Sequence, residues 1–339
     1  MESHKVVATI FHIMGIVVIL GFMVLQGVSC AFLFGAMGDN PTGAPTTGVN
    51  THVFGDKDAE VRFLRVPVMG VISYAAPENL MGLTEMSIPE RMEKLLAHAE
   101  KTESIDGILL DIDSPGGAVD PSDVMFHKLM EFKARTGKPI VARMNSLAAS
   151  GGYYIAVASD RIIAHPSTLT GSIGVIMQSM NMAGLFDKIG LDLVTLASGP
   201  NKDLLNPGRE MTEEEREILM GVINETHDQF VNAVVLGRDM DEADVRRLAD
   251  GRIYTSRQAL EGGLIDAIGY EEDLLDILRE ISGAETVEVV RHKLPSKIWD
   301  LFDMGLESAA RHFRPESQLK ALERLDRAPG LYYLWEPGI

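Results

Sequence analysis

Between residues 61 and 282, short apolar runs alternate with amphipathic stretches, and this alternation constrains the chain more than any other feature. Residues 61–74, 105–112, 139–144 and 161–165 read as strands, being short, apolar and rich in β-branched residues. Residues 87–101, 120–136 and 148–158 read as helices between them, followed by helices over 212–237 and 241–249 and two more within 255–282. The first helix opens on Ser87-Ile88-Pro89-Glu90, a capping residue followed by proline in the first turn and an acidic side chain. Strands separated by helices cannot be joined as hairpins. They require crossover connections and hence a largely parallel sheet, an α/β fold.

A second feature lies upstream. Residues 6–38 contain no Asp, Glu, Lys or Arg. The run exceeds the roughly 20 apolar residues that span a bilayer and the 7–15 of a signal-peptide core. A retained transmembrane helix is the first reading. A cleaved signal and a lipoprotein signal acylated at Cys30 stay open, although Gly27 stands where the lipid-attachment pattern favours leucine. Lys5 precedes the run and the next positive side chain is Lys57. That asymmetry favours a cytoplasmic N-terminus and an extracytoplasmic domain on a single-pass anchor in the cell membrane. His12 lies inside the run and reads as a neutral histidine near the helix start. The expected organisation is an anchor over 1–38, a Pro/Gly/Thr-rich linker over 39–60, a catalytic domain over 61–295 and an extension over 296–339. In the extension, residues 297–313 set Ile298, Leu301, Phe302 and Leu306 at helical spacing. The last stretch, LYYLWEPGI, is apolar and aromatic; it suits packing on the domain, contact with a neighbouring subunit, or a place in a peptide groove.

Net charge is −18, and no basic cluster is dense enough to hold a phosphate backbone, so nucleic acid is not an expected partner. Cys30 is the single cysteine, which rules out an intrachain disulfide and any zinc site built on several cysteines. No metal or other cofactor is expected.

Four places carry residue types suited to acyl chemistry. Ser150 lies in Ala148-Ala149-Ser150-Gly151-Gly152-Tyr153-Tyr154, where small residues lead into a helix and two glycines follow. Such a turn exposes a hydroxyl beside free backbone N–H groups; the plain alternative is a serine helix cap. Ser114-Pro115-Gly116-Gly117 follows an apolar strand, a position where backbone donors face a crevice, or simply a turn. Lys202 lies in Ser198-Gly199-Pro200-Asn201-Lys202-Asp203. A lysine acts as a base only when neutral; with a reference pKa near 10.4, a drop of about three units corresponds to about 4 kcal/mol, which burial can supply. Ser172, in Thr170-Gly171-Ser172-Ile173-Gly174, is placed to hold such an amine or to serve as a loop residue.

Taken in order, these segments and Asp250-Gly251-Arg252-Ile253-Tyr254 resemble the signal peptide peptidase A family in its short, single-protease-domain form, with the related SohB-type peptidases. The resemblance covers about residues 60–290. It implies a ClpP/crotonase-like fold of repeated β-β-α units, preceded here by the transmembrane helix. It implies Ser150 as nucleophile, Lys202 as general base and Ser172 as the residue that positions the lysine. Gly117 and Gly151 would supply the oxyanion N–H groups, and Gly116 would shape the turn. It further implies a homo-oligomeric ring, eight subunits being one form, in which serine and lysine come from neighbouring copies, and signal-peptide remnants and other membrane-associated or unfolded peptides as substrates. Asp113 departs from the pattern, where relatives often carry Asn, and the long extension has no counterpart. Three rival readings differ in a testable residue or ligand: a Ser-His peptidase using His165 or His227, a crotonase-type acyl-CoA enzyme, and an inactive peptide-binding scaffold.

Overall fold

The computed structural model describes residues 50–76, 86–294 and 331–334. The apolar run 6–38, Cys30, His12 and the helical spacing over 297–313 lie outside these residues. Among the described residues no helix is long and apolar enough to cross a membrane.

The fold is a mixed α/β arrangement around one large sheet. In chain order the elements are β1 (Asn50–Gly55), β2 (Val61–Met69), α1 (Ile88–Lys101), β3 (Gly107–Ser114), β4 (Gly116–Ala118), α2 (Val119–Thr136) and β5 (Ile140–Ala149). They continue with α3 (Gly151–Ala156), β6 (Arg161–Ala164), β7 (Leu169–Gly171), β8 (Ile176–Met177) and α4 (Ala183–Ile189). Then come α5 (Glu213–Arg238), α6 (Glu242–Leu248), β9 (Ile253–Thr255), α7 (Ser256–Glu261), β10 (Ala267–Ile268), α8 (Glu271–Ser282), β11 (Val287–His292) and β12 (Leu331–Leu334).

The main sheet runs β1-β11-β2-β3-β5-β6-β10, with β7 joined to β5 and β9 joined to β7. Its central pairs β11-β2, β2-β3, β3-β5 and β5-β6 are all parallel, as the strand-helix alternation requires. A buried parallel sheet must be apolar on both faces, and the strands obey this. Leu64, Val66, Ile108, Leu110 and Ile112 face a core shared with α1, α2 and α3. Phe63, Leu109, Val141 and Ile163 face a second core closed by Leu274 and Leu278 of α8. On that second face the apolar lining gives way to a fully buried Asp111. Burial alone would push its carboxyl up, but hydrogen bonds and charge from Arg143, Asn145 and Arg65 more than offset this and hold it below the usual carboxylate value.

Several boundaries differ from the sequence reading for identifiable reasons. β1 lies inside the stretch expected as linker: residues 50–55 add antiparallel to β11 and extend the sheet. β5 runs to Ala149, so the expected helix over 148–158 shrinks to six residues. Its first half pairs with β6 and its last three residues pair with β7, and that long-range pairing keeps Leu147–Ala149 extended. The short strands β4, β7, β8, β9 and β10 carry too few residues for a periodicity to show. In the extension, Leu331–Leu334 is a strand, the middle member of a separate sheet β4-β12-β8.

Candidate active site

The site is assembled where β3 and β5 end. Ser150 occupies the turn between β5 and α3 with φ 53° and ψ −118°. This conformation is strained for a residue with a Cβ and persists only where surroundings over-determine it. They do so here. The Ser150 N–H donates to Gly171 O at 2.7 Å, and its carbonyl accepts the Tyr154 N–H at 2.8 Å. Ser150 is only 1% exposed. It stands at the N-cap position of α3, yet its side chain makes no capping hydrogen bond. The helix-cap reading therefore fails on geometry: the hydroxyl is not spent on the helix.

The helix behind Ser150 is rigidly seated. All six residues of α3 are buried. The Tyr153 hydroxyl donates to Leu264 O at 2.9 Å and the Tyr154 hydroxyl to Asp123 Oδ1 at 2.7 Å. The Tyr154 ring packs edge-on against Phe126 and Phe230. A Cβ on Gly152 would stand 2.9 Å from Ser114 O, so only glycine lets α3 press on the end of β3.

The second turn faces the first. Gly116 adopts φ 96°. Ser114 Oγ accepts the Gly116 N–H at 3.1 Å and donates to Gly70 O at 2.7 Å, which locks the strand end. A Cβ built on Gly151 would lie 3.2 Å from Gly117 N and 2.6 Å from Ser122 Oγ. The backbones of Gly117 and Gly151 are thus close neighbours beside Ser150. Asp113 Oδ1 accepts the Leu147 N–H at 3.1 Å, where the β3-β5 register shifts. Asn would present the same oxygen, so the departure at Asp113 leaves this contact unaltered.

Ser172 follows directly on Gly171, the acceptor for Ser150. It has φ 50°, is buried, and donates its N–H to Arg252 O at 2.8 Å. The Asp250–Tyr254 segment acts as a clamp on this loop. β9 pairs antiparallel with β7, Gly251 N–H donates to Ile173 O, and the Tyr254 ring blocks any side chain at Gly171. The structure therefore brings Gly116, Gly117, Ser150, Gly151 and Ser172 together.

Lys202 is not part of that cluster within one chain. It lies in an exposed turn, its backbone N–H donating to Gly199 O at 3.2 Å, and no hydrogen bond links it to Ser150. Its segment projects between β8 and α5 and exposes Met180, Leu185, Ile189, Leu193, Val194 and Leu196, the last two 79% and 96% exposed. Apolar exposure on this scale marks an interaction surface. One feature of this segment escaped the sequence reading. Arg209 binds Asp203 at 2.9 Å and also binds Glu215, tying the residue next to Lys202 to the first turn of α5. The arginine holds Asp203 below its usual value and drives Glu215 down to about 2, helped there by the Thr212 backbone. Thr212-x-x-Glu215 is a capping box visible in the sequence; the arginine partner is not.

The rival histidines stand elsewhere. His165 donates its backbone N–H to Met144 O, and its ring lies 5.9 Å from that of Tyr270. His227 is on α5 with a buried Nε2 that has no partner among the described residues. Neither is hydrogen-bonded to Ser150. Among the described residues no group of three or more His, Cys, Asp or Glu side chains could hold a metal ion.

Comparison with known proteins agrees with this arrangement. The model of peptidase family S49 matches residues 132–285, which include Ser150, Ser172 and Lys202. The chain is 33% identical over 281 residues to a candidate signal peptide peptidase SppA of Enterococcus faecium, covering 80% of this chain and 81% of that one. It is 38% identical over 200 residues to a candidate protease of Methanocaldococcus jannaschii, 59% of this chain and 64% of that protein. With the chloroplastic serine protease SPPA of Arabidopsis thaliana it shares 35% identity over 183 residues, 54% of this chain but 27% of that larger protein. Similarity over four-fifths of both chains, on a fold that buries a strained serine beside paired glycine turns, makes this chain a member of peptidase family S49 and a serine peptidase.

Proposed function

We propose that this peptidase is a membrane-anchored endopeptidase with a Ser-Lys dyad, working on a ClpP/crotonase-like domain. The observation that carries the reading is Ser150 itself: buried, conformationally strained, its hydroxyl unspent, beside the backbones of Gly117 and Gly151. In the first step a neutral Lys202 amine takes the Ser150 proton, and Oγ attacks a peptide carbonyl carbon. The Gly117 and Gly151 N–H groups stabilise the oxyanion that forms. α3 has only six residues, so individual amides rather than a helix dipole supply this stabilisation. The lysine returns the proton to the leaving amine as the C–N bond breaks. Water then attacks the acyl-enzyme with the same lysine as base, releasing the acid and restoring Ser150. Ser172 holds the amine through its hydroxyl. The chemistry needs neither metal nor nucleotide.

Lys202 is exposed in one chain and must be desolvated to serve as a base. We therefore assign it to the site of a neighbouring copy in a homo-oligomeric ring. The exposed apolar residues that share its segment support this arrangement. Residues 6–38 serve as the anchor and put the site beside the membrane, where signal-peptide remnants and other unfolded peptides are its substrates.

Two measurements test the reading. Ser150→Ala and Lys202→Ala chains each lose hydrolysis of an internally quenched peptide, and a fluorophosphonate labels wild type but not Ser150→Ala. When the two inactive chains are mixed and reassembled, a site shared between neighbours regains about one quarter of wild-type activity, because head-to-tail interfaces reunite intact serine with intact lysine. Full activity in Lys202→Ala refutes the dyad; no recovery on mixing refutes the shared site.

A further inference from the structure

The small sheet contains a strand that the peptidase chemistry above does not use. β12 lies between β4 and β8, antiparallel to both. Tyr332 pairs with Ala118, Tyr333 with Gly117 and Leu334 with Gly116. On the other side Leu331 pairs with Met177 and Tyr332 with Ile176. β12 also lies against α2 and against α3, the helix that Ser150 opens.

The edges available to such a strand are few. One side of β4 is taken by Ile72, which bridges Gly117, donates its N–H to Gly116 O at 2.8 Å and accepts the Ala118 N–H at 2.9 Å. β4 therefore has a single edge left, and β12 fills it. Among the described residues β8 pairs only with β12. β4 and β8 run parallel to each other, two strand spacings apart, about 10 Å. The slot between them is one strand wide.

A slot with two open edges recognises its ligand through main-chain N–H and C=O groups. It accepts an extended peptide and rejects a helix, or a proline at a paired position. We propose that this slot is the peptide-binding cleft and that Leu331–Leu334 is its built-in occupant, a tethered competitor that an incoming substrate strand must displace. The proposal rests on the peptidase reading of Ser150 and deepens it. The ligand class is an extended segment with the apolar and aromatic character of Leu331-Tyr332-Tyr333-Leu334. Competition follows from geometry, since the free edge of β4 carries the Gly117 backbone and holds one strand at a time. Residues 295–330 tether the segment, and a tethered ligand acts at an effective concentration on the order of millimolar. Weak intrinsic pairing is then enough to occupy the cleft.

The test uses the full chain with Tyr332→Pro and Tyr333→Pro together. These remove two backbone donors from the added strand and leave the main sheet untouched. Hydrogen exchange at the amides of Gly117, Ile176 and Met177 gives a readout that needs no activity; release of the strand raises it about tenfold or more. For an internally quenched peptide, KM falls about threefold or more with kcat unchanged. A synthetic peptide of residues 331–339 restores the higher KM competitively. Unchanged exchange at these amides overturns the proposal, and so does an unchanged KM in a chain whose exchange has risen. Failure of the peptidase reading looks different: no hydrolysis by either chain, with exchange still raised in the proline variant.

Discussion

Gly117→Ala is the sharpest test of how the fold makes the site. A Cβ at this position would stand 2.0 Å from Ile72 O and 2.6 Å from the Ile72 carbonyl carbon. Real Cβ contacts stay beyond 3.0 Å, so backbone must move by about 1 Å. Ile72 cannot yield cheaply, because it is held on both sides by hydrogen bonds to Gly116 O and from Ala118 N–H. The Gly117 amide moves instead. Overpacking of this kind costs about 1–3 kcal/mol, which lowers Tm by about 2–10 °C. The catalytic loss is larger. Displacing one oxyanion donor lowers kcat about 10²–10³-fold, equivalent to about 2.7–4 kcal/mol in the transition state. The expected pattern is therefore a collapse in kcat with a modest change in KM and a modestly destabilised, folded protein. Steady-state kinetics on an internally quenched peptide, with thermal unfolding of the same preparation, measure both terms. A variant that keeps kcat within about threefold of wild type refutes the assignment of the Gly117 N–H as an oxyanion donor.

The Arg209 clamp makes a second prediction: Arg209→Ala frees Asp203 and Glu215, loosens the Lys202 turn, and lowers kcat about tenfold or more by misplacing the base, whereas wild-type activity would refute the clamp. The clamp is also acid-sensitive. Glu215 falls from 4.5 to about 2 in the folded chain, so its contribution is complete above pH 4.5 and is lost as pH falls from 4.5 towards 2. Limited proteolysis should then open residues 199–215 across that window before the main sheet unfolds, and equal protection throughout contradicts the reading. Away from the site, Phe132→Ala deletes a fully buried ring from α2 and should cost about 3–5 kcal/mol in denaturant unfolding; a loss below about 1 kcal/mol would mean the core collapses around the gap.

Much of this protein was legible from local chemistry. The central strands and the longer helices follow from periodicity, because each presents an apolar face whose spacing is set by its own backbone geometry. The capping of α1 by Ser87 is equally local, and so is the choice of Ser150, with small residues before it and glycines after it. The family resemblance rests on the same segments, and the alignment with relatives agrees with it. The 50–55 strand was not legible, since its partner β11 lies more than two hundred residues away. Nor was the extension of β5 to Ala149, which depends on β7.

The sequence by itself determined which residues were chemically available: a serine, a lysine, a second serine and two glycine turns, in order along an α/β chain. Only the tertiary structure decided what each does. It separated Ser150 from a helix cap, because long-range bonds to Gly171 and Tyr154 hold a strained backbone and leave the hydroxyl unspent. It put Lys202 on an exposed segment rather than beside Ser150. It also set Leu331–Leu334 against the Gly117 backbone, a pairing between residues some two hundred positions apart. Main-chain pairing of this kind is nearly independent of side-chain identity, so the order of residues cannot announce it.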